Sequence, residues 1–426
     1  LKSHRNIRKL ILSPILNAER LGRHVKSIAL CLAFCLVQSM FVSCGNDNIT
    51  PQQAQSVTVY AIVPSYMVGD ESEGSEIIRT IYFQEVEQGN LDISIMAEDV
   101  YENKQLTSGE YDKETDTIND TYAKTIEMVL GEVVLDSHSH AILVGPAAGK
   151  QVEKYFADKK QDYTQEKADS LRERIVVMNC DSLDAPVSTT YISLYAVSYL
   201  AGTMATLFSD YAVVTIPYLG HPVSDSGLAG FWHGFIQEAK DEDMDFCDDE
   251  GNLDLSFIYN GMDSETLVSD DSPLACNTLG WNERGFNNGI EAYMDLLDIK
   301  NENINFFYPL AGMSNNGIYL FGRRYADEVY MSSMDRDMAT FTSNVAYDIH
   351  RLTSSLIAQI LSQWAQHEPL QLKPVYTMRD GFCYIRYIPA YEDNYSPMFD
   401  YYRDTAMERE EKYIQARTNS LKNGTL

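Results

Sequence analysis

Between Phe306 and Asp337 a strand, a small-residue turn, a helix and a second strand ending in acid follow one another, and this alternation constrains the fold more than any other feature. Ile304-Asn305-Phe306-Phe307-Tyr308-Pro309 is a short apolar run, broken by Ala311-Gly312-Met313-Ser314-Asn315-Asn316-Gly317. Ile318 to Ala326 reads as one helical face, and Val329-Tyr330-Met331 leads into Ser332-Ser333-Met334-Asp335-Arg336-Asp337. Strand, helix and strand in this order make the unit of a parallel sheet. In an open parallel sheet ligands bind outside the carboxyl ends of the strands, where both polar turns fall. The glycines of the first turn let backbone N–H groups approach a ligand.

The same alternation runs through the chain. Ser56–Val63, Leu91–Met96, Ala141–Val144, Ile175–Met178, Ala212–Ile216 and Leu255–Tyr259 read as strands. Ile77–Val86, Ile118–Val134, Tyr195–Phe208, Leu228–Ala239 and Phe286–Leu297 read as helices. These units are too many for one small sheet, so the chain is read as α/β with two parallel sheets flanked by helices. Asn344 to Ala365 reads as one long helix, with Val345, Ile349, Leu352, Leu356, Ile360 and Leu361 on one side. Val375–Met378 and Cys383–Ile388 read as a hairpin around Arg379-Asp380-Gly381, and Thr405–Ala416 as a surface helix in a Tyr- and acid-rich extension.

The N-terminal region predicts the compartment. Arg20, Arg23 and Lys26 precede an apolar run from Ile28 to Val42 interrupted only by Gln38 and Ser39, and Ser43-Cys44-Gly45 follows. A basic stretch, a short apolar core and a small residue before a polar break describe an export signal. Cys44 after that break resembles a bacterial lipobox, whose cysteine is diacylated to become the new N-terminus, although Phe41 stands where leucine is usual. The other reading of the run is a transmembrane anchor. Leu1 is not methionine, and a start downstream near Leu21 is expected. Residues 1–43 are thus expected to be a signal, 44–55 a tether, and the protein to sit in the cell envelope, bound to a bacterial membrane through lipid on Cys44.

Charge and cysteines bound the partners. Residues 1–43 carry seven Lys or Arg and one Glu, so the formal charge of −29 becomes −35 without them. So acidic a surface disfavours nucleic acid. Beyond Cys44 the thiols are Cys180, Cys247, Cys276 and Cys383. Cys247 with Cys276 is the pair to test, since both flank one strand; the alternative is four free, buried thiols. No CxxC spacing supports a zinc or redox site, and no cofactor is expected.

Three stretches resemble one family. Tyr191-Ile192-Ser193-Leu194-Tyr195-Ala196-Val197-Ser198-Tyr199-Leu200-Ala201-Gly202 is similar to a helix entry of the basic membrane protein (Bmp) family, lipoprotein substrate-binding components of ABC importers. Val213–Gly220 with Gly230-Phe231-Trp232-His233-Gly234-Phe235, and then Phe306 to Asp337, resemble its later motifs. The resemblance implies a type I periplasmic-binding fold, with two Rossmann-like lobes joined by three crossings near Thr190–Ser193, at Asp335–Met338 and after Ala365. It divides the chain into residues 56–191 plus 338–368, residues 192–337 plus 369–390, and an extension over 391–426. It further implies a small-molecule ligand held between the lobes, a nucleoside or sugar-like molecule, and an ABC permease as partner. The ligand-facing candidates are Tyr66, Gly145, Trp281, Gly312, Asn315, Asn316, Gly317 and Asp335. Aromatic faces at Trp281 and Tyr66 suit a planar base, and a carboxylate at Asp335 suits two sugar hydroxyls. Departures from the family are Met67-Val68-Gly69-Asp70-Glu71 after the first strand and Asn344-Val345-Ala346 where a lysine is usual.

Catalysis finds little support. Gly312-Met313-Ser314 has Asn316 where a nucleophile elbow needs glycine. His138-Ser139-His140 lacks metal-ligand partners, and Asp241-Glu242-Asp243-Met244-Asp245 has Phe246 where a calcium loop needs glycine. No catalytic or metal-ligating residue is expected. The alternative to an importer component is a surface lipoprotein that uses the same fold for sensing or protein recognition, without transport.

Overall fold

Two six-stranded sheets with the same winding organise the chain. The computed structural model describes residues 56–65, 73–100, 118–159, 163–208, 212–216, 221–241, 279–280, 289–299, 306–335, 341–387 and 392–424. Cys44, Tyr66, Trp281, Cys247, Cys276, the calcium-like run beyond Asp241 and the strand expected at Leu255–Tyr259 lie outside them. The first sheet has the order β2-β1-β3-β4-β5-β11, from β1 (Val57–Pro64), β2 (Leu91–Glu98), β3 (Ser139–Val144), β4 (Ile175–Met178), β5 (Ser188–Ile192) and β11 (Val375–Tyr376). All its pairings are parallel, with β1 in register from Val57↔Leu91 to Pro64↔Glu98. The second has the order β7-β6-β8-β9-β10-β12, from β6 (Ala212–Ile216), β7 (Leu279–Gly280), β8 (Phe306–Pro309), β9 (Tyr330–Met334), β10 (Val345–Arg351) and β12 (Cys383–Tyr387). Here β12 runs antiparallel to β10 and the rest are parallel. In each sheet the winding reverses beside its first strand, which opens a crevice at the carboxyl ends.

Helices cover the sheets where apolar residues face outward. On the first sheet, α1 (Glu73–Gln88) and α9 (Thr353–Ala365) bury Ile77, Ile81, Leu356, Ile357, Ile360 and Leu361 against Val57, Val59, Ala61 and Val63. The opposite face takes α2 (Asp120–Leu135), α3 (Pro146–Lys159) and α4 (Gln165–Arg172), with Ile126, Val129, Val152 and Leu171 on Leu143, Ile175 and Val177. Each fully buried Ile or Leu stabilises by roughly 1.5–3 kcal/mol. On the second sheet, α5 (Tyr195–Ala205) and α6 (Pro222–Asp241) cover the face of Phe306, Tyr308 and Tyr347, while α7 (Gly289–Ile299) and α8 (Asn315–Arg324) cover that of Phe307 and Met331. Every residue of α5 is buried, because α10 (Glu392–Asn423) closes its outer side with Tyr402, Ala406 and Tyr413. Among the described residues no helix is long and apolar enough to cross a membrane.

Small residues set how closely α5 and α6 approach. A Cβ at Gly230 would stand 2.1 Å from the Tyr195 carbonyl oxygen, and one at Gly234 would stand 1.9 Å from that of Tyr199. The two backbones touch there, which explains glycine at both ends of the Gly230 to Gly234 motif.

Three elements differ from the sequence reading. Asn344 to Ala365 is not one helix: β10 occupies Val345–Arg351 and α9 begins only at Thr353. A strand buried on both faces carries apolar residues at most positions, so Val345 and Ile349 match a helical period by coincidence. The segments around Arg379-Asp380-Gly381 do not form a hairpin, since β11 pairs with β5 and β12 with β10 in the other sheet. The turn, with Gly381 at φ +79°, is a crossing. The helix expected at Thr405–Ala416 is longer and not superficial, since Tyr402, Ala406, Glu410, Tyr413 and Arg417 form a buried stripe along α10.

The crossings follow from these assignments. The chain passes to the second sheet after β5, at Ser193 and Leu194. It returns at Leu352, between β10 and α9, rather than at Asp335–Met338, and passes over again between β11 and β12.

Candidate functional site

Buried charges meet where the strands of both sheets end. Asp335 directly follows β9 with φ +58°, and its N–H donates to the Ile349 carbonyl at 2.7 Å. Its carboxylate accepts the Arg351 backbone N–H at 3.2 Å and the guanidinium in a fork, Nε lying 3.1 and 3.0 Å from the two oxygens and the Nη2 group on Oδ2. Arg351 ends β10 and turns its other arm to Glu73 Oε2 at 2.8 Å. Glu73 opens α1, just beyond β1. It also accepts from Thr353 Oγ1 at 3.0 Å and from Asn179 Nδ2 at 3.1 Å, Asn179 being the residue after β4, at φ +54°. The side chains of Arg351, Glu73 and Asp335 are 9, 8 and 8% exposed, so water screens little of their interaction.

Two carboxylates share this one cation. Burial favours a neutral Arg351, but the Asp335 and Glu73 charges outweigh it and hold the guanidinium firmly protonated. Burial raises the Glu73 carboxyl more than Arg351 lowers it, and Asp335 adds to the rise. The cluster is therefore one cation short of neutral when both acids are ionised.

A second arginine arrives from α10. Arg417 grips Asp181 in a fork, with Nε to Oδ1 at 2.9 Å and Nη2 to Oδ2 at 2.8 Å, and donates through Nη1 to Asp225 Oδ2 at 2.9 Å. Asp181 lies just past β4 of the first sheet, and Asp225 is in the first turn of α6 on the second. His221, immediately before α6, is 4% exposed, and its Nδ1 accepts the Ser224 N–H at 3.3 Å. Burial, with the charges of Arg351 and Arg417, holds its pKa down to about 3, so the seam contains a neutral imidazole. Beside the first crossing, Glu410 Oε1 accepts from Ser193 Oγ at 2.7 Å and from the Ala196 N–H at 3.3 Å. Burial raises its pKa to about 7 against these bonds and one from the Met378 N–H.

The structure places the other described candidates in the turns and helix starts after β3 and β8. Gly145 separates β3 from α3 with φ +97°, and Gly312 opens the turn after β8 with φ +56°; both backbones favour glycine. Asn315 is buried, and its Oδ1 accepts the Ala311 N–H at 2.8 Å, bracing that turn. Asn316 beside it is half-buried. Gly317 is set against α7, where a Cβ would lie 1.9 Å from the Gly289 carbonyl oxygen, so close helix packing accounts for it. His140 packs its ring 4.7 Å from that of Trp364, and burial lowers its pKa to about 4, as befits a core imidazole. Cys180 and Cys383 are free and buried.

Sequence reasoning missed Glu73, Asn179, His221, Arg351 and Arg417. The strand-end rule applied to Ile175–Met178 would have flagged Asn179 and Asp181. Nothing local marks Arg417, whose two carboxylate partners are 236 and 192 residues away.

Two doubly wound sheets, three crossings and strand ends facing a common seam define the type I periplasmic-binding fold. One solved structure supports this reading of the fold, and others align more loosely. An ABC transporter system solute-binding protein from Aeropyrum pernix K1 aligns with a TM-score of 0.53 at 10% identity, covering 85% of this chain and 92% of that one. A glucose-galactose binding protein from Geobacillus stearothermophilus gives 0.47 at 10% identity, covering 78% and 98%. The transcription regulator CcpA of Lactococcus lactis gives 0.48 at 9%, also covering 78% and 98%. No protein-family model matches the sequence, and none of the curated proteins does.

Proposed function

We propose that this chain is an exported, lipid-anchored solute-binding protein that holds a small molecule between its two sheets for an ABC importer of the Bmp type. The observation that carries the reading is the convergence of strand ends from both sheets on one buried, charged seam. Tyr66, two residues past β1 in sequence, and Trp281, the next residue after β7, supply the aromatic faces in this reading. Asp335 with Arg351, and the turns at Gly145 and Gly312, supply polar and backbone groups. Four carboxylates (Glu73, Asp181, Asp225 and Asp335) face two guanidiniums (Arg351 and Arg417). Such a seam repels an anion, and this reading takes a sugar-like or nucleoside-like molecule as the ligand.

A ligand that binds only the folded form raises the melting temperature. A thermal-shift screen of nucleosides and neutral sugars should therefore find at least one stabiliser, and Trp281→Ala and Asp335→Asn should each abolish its effect. A shift undiminished in both variants removes this site. The lipid anchor predicts an N-terminal diacylated Cys44 by mass spectrometry, and Cys44→Ala protein leaving the membrane fraction. The seam's hydrogen-bonding groups already engage one another, and this favours a second reading, sensing or protein recognition without transport. A permease and an ATPase encoded beside the protein would favour the importer.

A further inference from the structure

The last helix does more than cover the second sheet. α10 runs antiparallel along α5, with Arg409 over the Tyr199 ring at 5.6 Å and Tyr413 stacked on Tyr195 at 5.0 Å. Arg409 also reaches Gln237 of α6 at 3.1 Å. The helix thus belongs to the second sheet's layers. At Glu410 it passes the crossings, binding Ser193 of the first and the backbone of Met378 in the third. Two turns later Arg417 grips Asp181 of the first sheet with both arms of its fork while holding Asp225 of the second. Its side chain is 3% exposed, with Asp181 at 16% and Asp225 at 10%. A forked pair so shielded keeps most of its attraction, unlike an exposed pair.

We propose that α10 is an interlobe strap, anchored on α5 and α6 and latched to the first sheet by Arg417, that holds the two sheets together when no ligand is bound. To move Asp181 away from α6 the chain must break a two-pronged bond and leave a buried guanidinium with one carboxylate in place of two. Removing one partner of a buried ion pair strands the other in a medium that solvates it poorly. Opening by hinge motion alone, as two lobes joined only by their crossings would allow, is therefore opposed by the chain itself. The strap acts whether or not the seam accepts a small molecule, and its test is independent of any ligand.

Small-angle scattering on the full chain reads the effect. Wild-type protein is first unfolded in guanidinium chloride and refolded by dialysis, so that no co-purified molecule can close it. Arg417→Met keeps the aliphatic stem and removes the fork. The expected result is a larger radius of gyration for Arg417→Met than for the refolded wild type, with near-wild-type far-UV dichroism. On the same helix Glu411→Gln, which breaks only the exposed pair with Arg379 of the third crossing, should leave the radius unchanged. Should Arg417→Met fail to fold, Asp181→Asn frees the first sheet while leaving the Asp225 pair intact, and the same expansion is expected. A folded Arg417→Met or Asp181→Asn protein with the wild-type radius overturns the proposal. So does a refolded wild type already as expanded as the variants.

Discussion

Replacing Glu410 by glutamine should make the protein more stable at neutral pH and leave it unchanged in acid. Glu410 is 1% exposed beside the first crossing, accepts from Ser193 Oγ and the Ala196 N–H, and has its pKa raised by burial from 4.5 to about 7. A folded pKa above the unfolded one means that the native state takes up a proton over this interval. The stability Glu410 contributes is then fully present below pH 4.5 and is lost as the pH rises through 7. At 1.36 kcal/mol per pH unit, the interval from 4.5 to about 7 corresponds to ~3 kcal/mol. Glutamine keeps the acceptor oxygen and carries no charge, so it imitates the protonated acid at every pH. Urea unfolding of both proteins between about pH 4.5 and 8 gives the difference directly, and His221, whose depressed pKa costs stability as pH falls below 6.5, cancels from it. The variant should match wild type near pH 4.5 and exceed it by ~3 kcal/mol at pH 8. A difference that is flat with pH, or that grows toward acid, would refute the assignment of a proton to this carboxyl.

Other outcomes follow from the same contacts. Asp335→Ala leaves Arg351 with Glu73 alone, and loss of one partner from a buried pair should cost about 3–5 kcal/mol in unfolding free energy. Adding Arg351→Met to that variant should recover part of the loss, since no guanidinium is then stranded. Gly230→Ala would push a methyl into the Tyr195 carbonyl, and the forced separation of α5 from α6 should lower stability by at least about 1–3 kcal/mol, measured by denaturant midpoint. Cys180 and Cys383 are buried with thiol pKa values raised, chiefly by burial. Iodoacetamide at neutral pH should label neither in the native protein and both after unfolding, as read by peptide mass mapping.

Local pattern carried much of the architecture. The segment from Phe306 to Asp335 forms β8, a Gly312 turn, α8 and β9 as its residue types imply, with Asp335 at the strand end. The places of Asp335 and Gly312 in the fold were legible because a strand end and a positive-φ turn are marked by neighbouring residues. Val345 to Arg351 reads as helix in the sequence because a strand buried on both faces has no alternation to distinguish it from one. The two short strands around Gly381 read as a hairpin but join different sheets, because adjacency in sequence cannot say which sheet a strand joins.

The amino-acid sequence alone determined the alternation of strands and helices, and with it the α/β class, because each element depends on residues within a few positions of one another. Only the tertiary structure decided which strands share a sheet, where the chain crosses between the sheets, and that Arg351 and Arg417 stand at the seam. Those outcomes depend on partners far apart in sequence. Burial then makes a charge at such a place costly unless an opposite charge meets it, and that meeting exists only once both sheets have formed.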